Sequence, residues 1–339
     1  MSRKQWVLGV TALIALVACA RLGFDRWQVH LTGQEQLRQQ AQPHSTNVQL
    51  QARINASAQL ADFQTLASTQ MAGRGPGQSG HQQAIAYLQQ RLAALGLSPL
   101  QATSDAKQLF LAPYSTGTNL LAKIDGTDNA ATAIVLTAHY DHLGVVGDKT
   151  YLGADDNASG VAAVLAIADY VKKRPLRHTL IVALLDEEER GLVGARALFT
   201  EQQLVNTAAK PLHVAFNINL DMLSRNTDDQ LFVVGSWAYP EFADILTAVQ
   251  QTTPIHLIQG NDRPWYIAGR TPDWRDDSDH GVFAEQGIPN WYFGVPDHAD
   301  YHQPTDSADK ADRDFYIAAT ETVLSALLGL DASLAERSK

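Results

Sequence analysis

The chain has 339 residues, of which 45% are hydrophobic, and this content is enough to bury the core of a large α/β domain. The formal net charge is −10 and the sequence has no dense basic stretch, so a nucleic-acid partner is disfavoured. The single cysteine leaves no second thiol in the chain for a disulfide.

Residues 1–20 carry a targeting pattern. Arg3 and Lys4 precede an apolar run, Trp6 to Ala20, that is shorter than the roughly 20 residues of a membrane span and suits a signal peptide. Leu-Val-Ala-Cys at Leu16 to Cys19 resembles a bacterial lipobox, in which the cysteine is lipidated. Ordinary signal-peptidase cleavage, an uncleaved anchor in which Cys19 is a small buried residue, and a cytosolic protein are the alternatives.

We therefore predict that residues 1–20 are a signal peptide, a lipoprotein signal or a membrane anchor. The protein is expected to be exported, either periplasmic or in the cell envelope. Any membrane contact would be made only through this segment or through a lipid on Cys19. Residues 21–55 are polar and rich in glutamine, which predicts a tether rather than part of the core.

The catalytic domain is predicted over 56–335. The spacing of Leu60, Phe63 and Leu66 predicts a helix from Ala56 to Ser68. A glycine-rich segment then breaks regular structure, and an amphipathic helix ends near Gly96. Later strands are predicted at Asn119–Ile124, Thr132–Ala138, Thr179–Leu185, Val214–Leu220, Leu231–Val234 and Trp291–Phe293. Later helices are predicted at Val161–Val171, Leu192–Leu204, Phe242–Val249, His280–Gln286 and Phe315–Leu328. This alternation predicts a single α/β domain with a mixed, largely parallel central sheet flanked by helices.

Possible metal ligands follow one another in the loops of this domain. They occur at His139 to His142, Asp155 to Asn157, Asp186 to Glu189, Asp221 and His302. Three of these segments follow predicted strands, whose carboxyl ends meet at one edge of an α/β sheet. Zinc accepts imidazole nitrogen and carboxylate oxygen, and two metals about 3.5–4 Å apart can share one water. The series therefore predicts a two-metal hydrolase.

The ordered motifs resemble those of the co-catalytic zinc aminopeptidases of clan MH, peptidase family 28, over roughly residues 60–330. The resemblance implies a zinc-exopeptidase fold that holds two Zn²⁺ per chain and removes N-terminal residues from peptide substrates. It implies that His139 and Asp221 bind one metal, that Glu189 and His302 bind the other, and that Asp156 bridges them.

The same resemblance implies the roles of three further residues. Glu188 would be the general base that takes a proton from the metal-activated water. Asp141 would orient the imidazole of His139. Tyr301, directly before the last ligand, would donate a hydrogen bond to the developing oxyanion.

Two registers stay open within this assignment. Asp186 to Glu189 is a run of four acids, and only its distance from Gly191-Leu192 favours Glu188 as base and Glu189 as ligand. The pair Asp155-Asp156 raises the same question, and the distance to Ser159-Gly160 favours Asp156. Taken singly, such acids are also typical of helix caps and solvated surfaces.

Other polar residues are given lesser roles. We expect His142 to be a neighbour of the site rather than a ligand, and Asp279 and His280 to lie beside it or at its rim. Gly73-Arg74 is expected to form a structural loop with a buried or capping arginine. Trp265, Tyr266, Trp274 and Trp291 are candidates for lining a substrate pocket, with core packing as the alternative, above all for Trp291.

Three alternatives to an aminopeptidase remain at this stage: a carboxypeptidase of the same fold, a single-zinc glutaminyl-cyclase-like acyltransferase, and a binding domain without catalysis. The complete set of five ligands disfavours the last two. Zinc is favoured over manganese or cobalt by the family likeness and by the mixed His and carboxylate set. The oligomeric state and the preferred N-terminal residue are not predicted.

Overall fold

The computed structural model describes residues 48–100, 109–204, 212–263 and 272–337. The strands are β1 (Ser98–Pro99), β2 (Leu111–Pro113), β3 (Thr118–Ile124), β4 (Asn129–His139), β5 (Gly144–Val146), β6 (Lys149–Tyr151), β7 (His178–Leu185), β8 (His213–Leu220), β9 (Gln230–Val234), β10 (His256–Gln259) and β11 (Asn290–Gly294). The helices are α1 (Ala56–Leu66), α2 (Ser79–Ala94), α3 (Gly160–Lys173), α4 (Val193–Thr200), α5 (Ala243–Gln250), α6 (His280–Glu285) and α7 (Arg313–Arg337). The predicted signal, Cys19, Trp265 and Tyr266 lie outside the described residues.

Nine of these strands form one sheet in the order β1-β3-β7-β4-β8-β11-β9-β10, with β2 paired to β3. The four central strands β7, β4, β8 and β11 run parallel to one another. Towards the edges β3 pairs antiparallel with β7, and β9 pairs antiparallel with β11. The predicted mixed α/β sheet is thus confirmed, and its parallel part is its centre.

The parallel centre explains why the polar motifs meet. Strand β4 ends at His139, which pairs with Leu185 at the end of β7. On the other side of β4, Thr137 pairs with Asn219 near the end of β8. The residues that follow these three strands therefore leave the sheet at the same edge. This register brings the histidines after β4, the acids after β7 and Asp221 after β8 to one place.

Helices cover the sheet through apolar faces. Helix α3 is the most deeply embedded, with a continuous buried run from Gly160 to Ala168. Helix α7 is, within the described ranges, the one helix long and apolar enough to cross a membrane, but 61% of its most apolar window is buried inside the fold. Its packing is that of a core helix.

The end of the predicted tether contacts this core. Arg53 donates from Nε to Oε2 of Glu321 at 2.8 Å and from its guanidinium to the Glu321 carbonyl oxygen at 2.8 Å. The backbone N–H of Ile54 donates to Oε1 of Glu321 at 2.8 Å. Packing against α7 thus begins at least three residues before α1.

Candidate metal centre

Two groups of possible metal ligands lie at the carboxyl edge of the central strands. The first, which we call the three-donor group, consists of His139, Asp156 and Asp221. Nε2 of His139 lies 3.2 Å from Oδ1 of Asp221 and 3.3 Å from Oδ1 of Asp156. All three residues are buried.

The second group, the four-donor group, consists of His142, Asp156, Glu189 and His302. Nε2 of His302 lies 3.0 Å from Oδ2 of Asp156 and 3.1 Å from Oε2 of Glu189. Nδ1 of His142 lies 2.6 Å from Oε1 of Glu189 and 3.5 Å from Oδ2 of Asp156.

Asp156 belongs to both groups and turns a different oxygen to each. Its Oδ1 faces His139, and its Oδ2 faces His302 and His142. This is the geometry that a bridging carboxylate needs, because each oxygen can serve a separate metal.

The donor set fits zinc. Bonds of 2.0–2.1 Å at tetrahedral angles put two ligands of one zinc ion about 3.3 Å apart. The donor pairs of the three-donor group, at 3.2 and 3.3 Å, and those of His302, at 3.0 and 3.1 Å, are close to this separation. Imidazole nitrogen and carboxylate oxygen are also the ligands that zinc commonly takes. The residues present could therefore hold a metal in each group.

The acidic run after β7 divides into two pairs with different surroundings. Asp186 is fully buried and accepts hydrogen bonds from Nε2 of His81 at 2.7 Å and from the backbone of Thr118 at 2.9 Å. Glu187 accepts from the Arg190 guanidinium at 2.8 Å. Neither carboxylate therefore belongs to the metal groups. Glu188 lines the cavity described below, and Glu189 is in the four-donor group.

The crowding of charges perturbs the side chains around the three-donor group. Burial raises the pKa of Glu188 well above its usual value, and the neighbouring Asp279 adds to this effect while His139 opposes it. Burial works against a charged His139, yet the carboxylates of Asp221 and Glu188 raise its pKa well above the usual range. Cations bound beside the three-donor group would offset the mutual repulsion of these carboxylates.

Asp141, predicted to orient the imidazole of His139, contacts that ring through its backbone carbonyl rather than through its carboxylate. Nδ1 of His139 donates to the backbone carbonyl oxygen of Asp141 at 3.2 Å, whereas the carboxylate Oδ1 is 3.6 Å away. That carboxylate oxygen accepts the backbone N–H of Glu188 at 3.1 Å. Asp141 thus links the loop that carries His139 to the loop that carries Glu188.

Arg74 connects the loops of the metal centre through hydrogen bonds. It is fully buried, and its guanidinium donates to the carbonyl oxygens of Leu66 at 2.6 Å, Tyr140 at 2.8 Å, Leu152 at 2.8 Å and Gly153 at 2.7 Å. Burial lowers its pKa to about 10. The expected structural loop with a buried arginine is confirmed, and the arginine supports the segments on either side of His139 and Asp156.

The loop that carries Asp156 is anchored by carboxylates on both sides. Oδ1 of Asp155 accepts from the backbone of Ser224 at 2.6 Å, and Oδ2 of Asp306 accepts from the backbone of Asp155 at 2.8 Å and of Asp156 at 3.2 Å. The Asp155 carboxylate thus bonds to Ser224, and Asp155 is in neither donor group. Of the Asp155-Asp156 pair, Asp156 is the residue that lies among the candidate metal donors, which favours the predicted register.

A cavity of about 300 Å³ opens beside the two groups. Its lining residues are Asp156, Glu188, Asp221, Met222, Trp274, Asp277, Tyr292, Val295, Asp297 and Tyr301. Five of them are carboxylic acids, and none of the lining residues in the described ranges is lysine or arginine. The cavity therefore suits a cationic group.

Other expectations resolve individually. Tyr301 lines the cavity, stacks on the His302 ring at 3.9 Å and has its pKa raised by burial. Trp274 lines the cavity, whereas Trp291 is fully buried in the core. The hydroxyl of Ser278 donates to Oδ2 of Asp221 at 2.8 Å, so this serine holds a member of the three-donor group in place.

Asp279 and His280 are both completely buried beside the centre rather than at an exposed rim. Neither carboxylate oxygen of Asp279 has a hydrogen-bond partner, and burial raises its pKa to about 7. His142, which is predicted to be a neighbour of the site rather than a ligand, lies within hydrogen-bond distance of Glu189. The short spacing from His139 was the only signal in the sequence that pointed to it.

A mixed α/β sheet with histidines and carboxylates clustered at the ends of its central strands is the arrangement of a metal-dependent enzyme. The model of Peptidase family M28 matches residues 119–327, which is more than half of the chain, and the chain belongs to this family. It is thereby a member of a zinc metallopeptidase family. The family match includes both donor groups.

Among curated proteins, the chain is similar to a vacuolar membrane protease of Candida tropicalis, with 37% identity over 89 residues. The match covers 26% of this chain and 9% of that protein, so only a small part of the relative's length is represented.

Solved structures share the fold at low sequence identity. Legionella LapA has a TM-score of 0.62 and 18% identity, covering 82% of this chain and 73% of its own. A leucine aminopeptidase precursor and a glutaminyl cyclase, both from Bacteroides thetaiotaomicron, each have a TM-score of 0.60 and 19% identity. Each covers 83% of this chain and 99% of its own. The fold alone therefore does not separate these two activities.

Proposed function

We propose that this protein is a two-zinc aminopeptidase that hydrolyses the first peptide bond of substrates with a free α-amino group. The observation that carries the proposal is the acidic cavity beside two donor groups that share Asp156. A carboxypeptidase must pair with the substrate's terminal carboxylate, for which this cavity offers no arginine or lysine among its described lining residues. The acidic cavity would instead attract the free ammonium group at the N-terminus of a substrate.

Zinc ions bound by the two groups would polarise the scissile carbonyl and make water acidic enough to react near neutral pH. His139, Asp156 and Asp221 would hold one ion, and Asp156, Glu189 and His302 the other. Ser278 fixes Asp221 by donating to its Oδ2.

Glu188 would move the proton. Its carboxylate borders the cavity, and its backbone is held by the Asp141 carboxylate. Burial favours its protonated form, while cations in the two groups would favour the ionised form. A base that takes a proton from water and returns it to the departing amine needs these opposing effects to balance near the working pH.

One aromatic hydroxyl and two acids would complete the substrate site. Burial raises the pKa of Tyr301, so its hydroxyl keeps its proton and can donate to the carbonyl oxygen as negative charge develops. Asp277 and Asp297 border the cavity as well and are not members of either donor group. They would receive the substrate's ammonium group.

We also propose that the protein is exported and tethered to the cell envelope through its N-terminal segment. The apolar run with its lipobox-like cysteine supports this location. The name of the Candida tropicalis relative, a vacuolar membrane protease, describes that protein as a membrane enzyme and is compatible with tethering.

The test uses protein that begins after residue 20 and three matched peptides. One has a free N-terminus, one carries an N-terminal acetyl group, and one has a free N-terminus with an amidated C-terminus. An aminopeptidase cleaves the first and third and spares the acetylated peptide. Cleavage that requires a free C-terminus, or proceeds on the acetylated peptide, contradicts the proposal.

A glutaminyl-cyclase-like acyltransferase is the competing function, because a glutaminyl cyclase is as similar in fold as an aminopeptidase. A fourth peptide with N-terminal glutamine separates them. Loss of ammonia without peptide-bond cleavage would support the cyclase. Release of free glutamine supports the aminopeptidase.

A further inference from the structure

His142 is a buried histidine whose ring lies among the ligands of the four-donor group. Its relative exposure is 0%, and its ring centre lies 5.8 Å from that of His302. Two roles fit this location. The ring could bind a metal through Nδ1, or it could donate a hydrogen bond to Glu189 and so hold a residue that binds the metal.

The distances separate these roles. Two ligands of one zinc ion lie about 3.3 Å apart. Nε2 of His302 meets this condition towards both Asp156 and Glu189, at 3.0 and 3.1 Å. Nδ1 of His142 lies only 2.6 Å from Oε1 of Glu189, which is a hydrogen-bond distance to a charged acceptor.

The second ring nitrogen gives an independent criterion. A metal-binding imidazole usually donates its other N–H to a carbonyl or carboxylate, as His139 does to the Asp141 carbonyl oxygen. Nε2 of His142 is buried and has no hydrogen-bond partner. If Nδ1 bound metal, the hydrogen would reside on this unpartnered atom. With the hydrogen on Nδ1, only a lone pair is left unpaired.

A second histidine of the chain has the same arrangement away from both donor groups. His178, at the start of β7, directs Nδ1 to Oδ1 of Asp331 at 2.8 Å, and its buried Nε2 is also without a partner. Neither His178 nor Asp331 belongs to either donor group. The pattern is therefore that of an imidazole holding a carboxylate.

The His142 ring packs against Gly153, where a side chain would clash with it. A Cβ atom at Gly153 would lie 2.4 Å from Cγ and 2.5 Å from Cδ2 of His142, so a side chain there would displace the ring. Gly153 has a φ of +59° and its carbonyl oxygen accepts from Arg74 at 2.7 Å. The glycine and the arginine together fix the wall against which His142 packs.

We propose that His142 is a positioning residue that donates from Nδ1 to Oε1 of Glu189 and thereby presents Oε2 to the metal of the four-donor group. This inference rests on the proposed two-zinc site. It predicts that His142 sets the zinc affinity of one position through Glu189, without contributing a ligand of its own.

The experiment measures zinc dissociation constants of the metal-free protein by competition with a chromophoric chelator, for His142→Ala and His142→Asn. The asparagine amide nitrogen occupies roughly the place of Nδ1 and can donate, but an amide nitrogen does not bind zinc. We expect His142→Ala to weaken one of the two zinc sites by about 10–100-fold. We expect His142→Asn to recover most of that loss.

His178→Ala and His178→Asn are the matched controls, and they should leave both zinc affinities unchanged. Circular dichroism checks folding in every case. Should His142→Ala not fold, His142→Gln replaces it, because its amide reaches towards the Nε2 position and cannot restore the bond to Glu189. Equal losses of zinc affinity in His142→Asn and His142→Ala would indicate that His142 is a ligand and would overturn the proposal. Unchanged zinc affinity in both variants would also overturn it, because His142 would then have no role at the site.

The same preparations distinguish this inference from the proposed function. Wild-type protein that binds two zinc ions but cleaves none of the peptides would refute the aminopeptidase and leave the role of His142 to be decided by the affinities. Wild-type protein that binds no zinc would refute both.

Discussion

The two ends of strand β7 differ in how they treat buried charge. At its start, Asp331 accepts from the backbone of Arg177 at 3.0 Å, from the backbone of His178 at 3.0 Å and from the His178 ring at 2.8 Å. At its other end, burial and the neighbouring carboxylates of Asp221 and Asp156 raise the pKa of Glu188, and among the described residues only histidines donate to the Glu189 carboxylate. Fully paired charge supports a fold, whereas an excess of one sign marks a place prepared for ligands.

The largest effect is expected for Glu188→Gln, at the acid-rich end of β7. Removal of the base should lower kcat by about 10²–10⁴-fold, because proton transfer is lost while the two donor groups stay intact. Zinc content measured on the same sample should be unchanged.

Glu187→Gln is the control, since it makes the same change in the adjacent residue, whose carboxylate is paired with Arg190. Its kcat should stay near that of the wild type. Equal losses in the two variants would show that Glu188 has no special role.

Replacing Arg74 tests whether the loops at the acid-rich end depend on the hydrogen bonds of its guanidinium. Arg74→Met removes four hydrogen bonds to carbonyl oxygens and leaves them buried, so the free energy of unfolding should fall by about 3–5 kcal/mol. Denaturant unfolding measures this. Arg196→Met, which breaks an exposed pair with Glu285, should lower the free energy of unfolding far less than Arg74→Met does, because water screens that pair. Similar costs for the two variants would contradict the scaffold role of Arg74.

The buried His280 makes stability depend on pH. Burial lowers its pKa from 6.5 to about 4, so between these values the unfolded chain binds more protons than the folded one. The free energy of unfolding should therefore rise with pH across this window by about 3 kcal/mol, and this stability is lost as the pH falls. His280→Asn should flatten the slope measured by denaturant unfolding at several pH values. If the free energy of unfolding of His280→Asn depended on pH as steeply as that of the wild type, His280 would not be the cause of this pH dependence.

The smallest effect is expected at the mouth of the cavity. Asp277 is exposed, so its attraction for a substrate ammonium group is screened by water. Asp277→Asn should raise KM for free-amine peptides by about 2–5-fold, with kcat nearly unchanged. Asp244→Asn, an exposed acid on α5, is the control and should change neither. An unchanged KM in Asp277→Asn would remove this acid from substrate binding.

Much of the fold was predictable because long apolar runs identify buried strands. The runs at β4, β7 and β8 are such signals, and their shared edge followed from parallel pairing. The strands that the sequence did not predict are β1, β2, β5, β6 and β10, each of two to four residues, which is too short for a periodic pattern. The predicted helix Leu192–Leu204 also ends earlier, at Thr200.

The site was predictable as a set of residues and less so as a set of atoms. Sequence order singled out Asp156 and Glu189, yet only the structure gives each oxygen of Asp156 a different neighbour. The role of His142 depends on which ring nitrogen faces Glu189, and the role of Arg74 on four carbonyl oxygens from three segments. Such details depend on the mutual orientation of distant loops, which spacing along the chain does not encode.

Whether Asp156 joins two zinc positions can be decided by counting the zinc ions bound to dialysed protein. We predict about two zinc ions per chain for the wild type, about one for Asp221→Asn and almost none for Asp156→Asn, because only Asp156 serves both groups. A wild-type protein with one zinc ion per chain, or an Asp156→Asn variant that keeps two, would contradict the account.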